Sequence, residues 1–115
     1  MNIRINFHQM PHSDGLDHHA RTKVEKVSDF FKSTEPAHPI HAEFFLNAHA
    51  THAAHAVELR VTSGAISVVS HESHPDMYLA IDAAVDKAIA QLKKEKAKLV
   101  DKRHKVETEK KAFGS

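Results

Sequence analysis

The chain has 115 residues, 41% of them hydrophobic, which is enough to close one core and too little for two. Sixteen basic residues against fifteen acidic ones leave a formal charge of +1, and the absence of cysteine excludes a disulfide framework or a thiolate metal site. No stretch is long and apolar enough to span a membrane, and the polar-apolar alternation of residues 1–10 is unlike a signal peptide, so a soluble, cytoplasmic protein is expected.

Ile3, Ile5 and Phe7 alternate with Asn2, Arg4 and Asn6, the period-two pattern of a half-buried strand. Pro11 and Ser13-Asp14-Gly15 break it. Ser13 can then cap a helix in which Leu16, Ala20, Val24, Val27 and Phe31 fall on one stripe, with an end expected near Ser33. His19, Lys23 and Lys26 flank that stripe. After a connector bracketed by Pro36 and Pro39, Ile40, Ala42, Phe44 and Leu46 alternate as a second strand, and residues 48–54 read as a hairpin loop. His55, Val57, Leu59 and Val61 mark a third strand, which Thr62-Ser63-Gly64 turns into a fourth over residues 65–71.

Ser73-His74-Pro75-Asp76 reads as a helix start, with the Ser73 hydroxyl accepting from free backbone amides and Asp76 near the positive end of the helix dipole. From there Met77, Ile81, Ala84, Ala88, Leu92 and Leu99 form a core stripe uninterrupted by Gly or Pro. At about 100° per residue, Lys87, Gln91, Lys94, Lys98 and Lys105 form a second stripe along one flank. Eight of the sixteen basic residues lie between Lys87 and Lys105, against two acids, Glu95 and Asp101. The order β-α-β-β-β-α predicts an α+β domain over residues 1–105, a four-stranded sheet with two helices packed on one face. Residues 106–115 lose periodicity and are expected to be a flexible tail.

The order of elements and the run Ser73-His74-Pro75-Asp76-Met77-Tyr78-Leu79-Ala80-Ile81-Asp82 resemble the ribosome hibernation factors, also called ribosome-associated inhibitors or sigma modulation proteins. Gln91-Leu92 in the lysine-rich helix, the opening Met1-Asn2-Ile3 and Lys23-Val24-Glu25-Lys26-Val27 are similar to that family as well, and the resemblance covers residues 1–105 in its short form. The chain departs from it at Ala90, where many members carry arginine. The resemblance implies a stress- or stationary-phase inhibitor of translation that sits on the rRNA of the small ribosomal subunit, in the decoding region, where messenger and transfer RNA would otherwise bind. It implies no cofactor, no membrane or DNA partner, and a monomer off the ribosome. By the same likeness the RNA-contacting positions are Lys23, Lys26, Lys87, Gln91, Lys94 and Lys98, expected to form one cationic seam where the helices meet. Whether ribosomes are paired or only blocked stays open.

A metal- or partner-binding module is the rival reading. The chain has 12 histidines, and His49, His52 and His55 at three-residue steps are candidate ligands if the hairpin loop folds them together. Spacing by three along a strand sends side chains to opposite faces, which argues against them. An enzyme is not expected: His71-Glu72-Ser73-His74 has acid-base residue types, but three glycines in the whole chain leave no phosphate or oxyanion loop.

Overall fold

Period-two alternation builds the sheet. The computed structural model describes the backbone of residues 1–31, 38–50 and 54–114, and the side chains within those ranges up to residue 98. Strands β1 (Asn2–His8), β2 (Ile40–Asn47), β3 (His55–Ser63) and β4 (Ile66–His74) lie in the order β1-β2-β3-β4. β1 runs parallel to β2, and the β2-β3 and β3-β4 pairs are antiparallel. A parallel pair needs a crossover, and helix α1 (Asp14–Phe30) supplies it.

Register aligns the inward residues into rows. Ile5 stands opposite Phe44, Phe44 opposite Leu59, and Leu59 opposite Ser70, so one row crosses all four strands. Leu16, Ala20, Val24 and Val27 of α1 close over this face. Helix α2 (Met77–Gly114) joins them through Met77, Ala80, Ile81, Ala84, Val85, Ala88 and Leu92. Three alanines in that stripe let α2 approach the sheet closely enough for the buried Ser70 hydroxyl to donate to the Ala84 carbonyl at 2.7 Å. The architecture is the expected α+β order, with both helices on one face.

The element ends differ from the sequence reading in three places. α1 begins with Ser13 as cap, Oγ accepting from Leu16 N at 3.3 Å, and its last helical residue is Phe30; Ser33 lies outside the described residues. β4 runs on to His74, pairing Ser73 with Ala56, so Ser73 belongs to the sheet and does not cap α2. Asp76 does: Oδ1 accepts from Tyr78 N at 2.9 Å, and its carbonyl accepts from Ala80 N. Replacing Asp76 with alanine should cost about 1 kcal/mol, whereas asparagine should be nearly neutral. Denaturant midpoints of the two variants check this. The third difference is length, since the helical backbone of α2 continues to Gly114, past the Lys105 at which the sequence pattern stops defining a face.

Candidate nucleic-acid interface

α1 and α2 lie side by side and point the same way. Near its start α1 meets α2 at Tyr78, whose ring packs edge-on against His19 with centroids 5.0 Å apart. His19 Nε2 then donates to Asp82 Oδ1 at 2.6 Å, and Lys23 Nζ lies 3.9 Å from the same oxygen. At the far end Lys96 Nζ sits 5.2 Å from the centroid of the Phe30 ring. The contacts fall at His19, Lys23 and Phe30 on α1 and at Tyr78, Asp82 and Lys96 on α2, climbing both helices together at helical spacings, which defines a single contact flank on each.

Counting about 100° per residue from Tyr78, Lys96 returns to the α1-facing flank, while Lys87, Gln91, Lys94 and Lys98 lie roughly half a turn away. Contacts agree with the count. Lys87 Nζ reaches Glu72 Oε1 at 3.7 Å and the His71 carbonyl at 3.4 Å, both on the edge strand β4. The expected single seam is therefore not what the structure has. Lys23 and Lys26 border α1's contact with α2, and Lys87, Gln91, Lys94 and Lys98 line the outer flank over β4. A helical count places a residue relative to the core of its own helix, but it does not say on which side the neighbouring helix lies.

Charge is graded along α2. From Met77 to Asp86 the helix has the acids Asp82 and Asp86 and no base; from Lys87 to Lys98 it has five lysines and only Glu95. Lys23 shares Asp82 with His19, and Lys98 Nζ lies 3.4 Å from Glu95 Oε1. Lys26 and Lys94 make no ion pair among the described residues. Two cations that sequence reasoning left out, Lys93 and Lys96, are exposed on the α1 side of the helix. Among the described residues Leu92 is the last buried side chain of α2, and the expected core residue Leu99 lies outside them.

The opposite face of the sheet is charge-balanced. Arg4 pairs with Glu43 at 3.8 Å and Arg60 with Glu58 at 2.8 Å; His71 Nε2 lies 3.3 Å from the other Glu58 oxygen. A concavity of about 490 Å³ there is lined by His8, Phe45, Asn47, Glu58, Arg60 and His71 among others, with the Arg60 guanidinium already over the Phe45 ring. That face gives a polyanion no net attraction.

Two of the three histidine candidates come together, with the His49 and His55 ring centroids 4.5 Å apart. His49 N donates to His55 Nδ1 at 2.9 Å, which occupies one ring nitrogen of the pair, and His52 lies outside the described residues. Among the described residues no group of three His, Asp or Glu side chains is arranged to hold a metal ion. Within His71-Glu72-Ser73-His74 the strand sends alternate side chains to opposite faces, so these four cannot converge on one substrate.

The sequence profile described as sigma 54 modulation protein / S30EA ribosomal protein matches residues 3–100. Among solved structures, the fold is similar to the Protein Y N-terminal domain of Thermus thermophilus, with a TM-score of 0.70 and 22% identity over 82% of this chain and 98% of that one. It is also similar to a ribosomal subunit interface protein of Coxiella burnetii, with a TM-score of 0.65 and 20% identity over 84% of this chain and 99% of that one. Comparison with curated protein sequences gives no match. At these identities the two structures speak for the fold alone.

Proposed function

The chain belongs to the sigma 54 modulation protein / S30EA ribosomal protein family, a family of ribosome-associated proteins, and from that premise we propose that it is a translation inhibitor acting on the small ribosomal subunit. In this reading it works in the cytoplasm under stress and by occupancy, without catalysis. Lysine-phosphate contacts seat it on rRNA in the decoding region, and its bulk then excludes messenger and transfer RNA. The observation that carries the reading is the run of five lysines against one acid on α2 from Lys87 to Lys98. Structured RNA is read largely through shape and backbone, so such a surface suffices without base-specific side chains.

Cosedimentation with purified ribosomes is the test. Neutralising four or five phosphates releases enough counterions that affinity should fall about a hundredfold or more between ~50 and ~200 mM salt. Empty ribosomes should carry the protein down at the lower salt, and ribosomes already holding messenger and transfer RNA should not. Pelleting that ignores salt removes the electrostatic reading. Equal pelleting with filled and empty ribosomes removes the decoding region as the site.

A further inference from the structure

The cations of α2 stand in two rows. Lys87, Lys94 and Lys98 lie on the outer flank, spanning roughly 16 Å at 1.5 Å per residue. Lys93 and Lys96 lie toward α1, where Lys96 rests on the Phe30 ring and Lys26 of α1 borders the same side. Between the rows the exposed surface of the helix is Ala90 and Ala97, whose methyl groups stand no taller than the backbone envelope. A row of cations on each side of a cylinder ~10–12 Å across is poorly suited to one phosphate backbone and well suited to two.

We propose that the Lys87–Lys98 segment of α2 lies along the shallow groove of a double-helical RNA segment, its outer lysines on the phosphates of one strand and Lys93 and Lys96 on those of the other. This rests on reading α2 as the RNA-binding surface and names the form of RNA it takes. A single strand would favour one cationic track with aromatic platforms for its bases. The one exposed aromatic of α2 among the described residues, Tyr78, stands nine residues before Lys87 and is packed edge-on against His19. A B-form DNA major groove is read by long polar side chains reaching base edges, and Ala90 and Ala97 have none to offer. The wide, shallow minor groove of A-form RNA is recognised by shape and by its flanking phosphates, which is what a flat crest between two lysine rows presents.

Fluorescence anisotropy tests it, using a labelled RNA duplex of about 16 base pairs, one of its strands alone, and a DNA duplex of the same sequence. The full chain should bind the RNA duplex at least about tenfold tighter than either competitor at one fixed salt concentration. Lys93→Glu with Lys96→Glu should weaken duplex binding by about the same factor as Lys94→Glu with Lys98→Glu, and each pair should flatten the salt dependence by about two contacts. Ala90→Phe should weaken duplex binding with its charge unchanged, and thermal unfolding midpoints identify any variant that has lost its fold. Equal or tighter binding of the single strand, equal binding of DNA, or indifference to the Lys93 and Lys96 changes overturns the proposal. Ribosome pelleting of the same proteins keeps the two readings apart: a chain that pellets but has no duplex preference retains the ribosomal function and loses this geometry.

Discussion

Reversing Lys87, Lys94 and Lys98 to glutamate together should abolish pelleting with ribosomes at ~50 mM salt while leaving the unfolding transition in place. Each lysine near a polyanionic surface contributes about 1 kcal/mol, so losing three costs about a hundredfold in affinity, and reversal adds repulsion on top. The fold should tolerate the change because none of the three supports the core. Lys98 faces Glu95 one turn away, an exposed pair worth at most about 0.5 kcal/mol. Lys87 needs separate treatment. Its partner Glu72 is 3.7 Å away on β4, and a glutamate there would set two carboxylates side by side at the sheet edge. Lys87→Gln, which keeps length and removes charge, separates lost phosphate contact from that local repulsion. If the triple variant pellets as the parent does, the outer flank of α2 is not the docking surface.

What the sequence made legible follows from what a one-dimensional pattern can encode. Alternation at Ile40, Ala42, Phe44 and Leu46 states which side of a strand is buried, and the register confirms it residue by residue. The helical stripe from Met77 to Leu92 states the core side of α2 equally well. Relations between elements are harder. Ser73 reads locally as a cap because serine before a helix has the right chemistry, yet its backbone is engaged by Ala56 on β3, a partner seventeen positions earlier. The expected seam fails for the same reason, since helical spacing puts Lys87, Lys94 and Lys98 on one flank of α2 but carries no information on where α1 lies. A signal was available: a right-handed crossover from β1 to β2, with α2 returning over β3 and β4, determines which flank of α2 meets α1. Applied to the helical count, it would have separated Lys23 and Lys26 from the outer row and brought Lys93 and Lys96 into view.

Phe44→Ala should have the opposite character, a large loss of stability with an intact docking surface. Phe44 is fully buried at the middle of β2, opposite Ile5 on one side and Leu59 on the other, beneath the helices. Removing such a ring from a closed core costs about 3–5 kcal/mol through lost burial and the cavity left behind. That is a large share of the ~5–15 kcal/mol typical of a whole domain, and it should lower the melting temperature by more than about 12 °C. Lysines on α2 are untouched, so below its own melting point the variant should pellet with ribosomes as the parent does. Because only the folded chain binds, ribosomes in excess at a hundred times Kd should return about 2.7 kcal/mol of the loss. The triple lysine variant should show neither the lowered melting point nor the rescue. If Phe44→Ala unfolds within about 1 kcal/mol of the parent, the row from Ile5 through Phe44 and Leu59 to Ser70 is not the centre of the core, and the platform that holds α2 in place must be sought elsewhere.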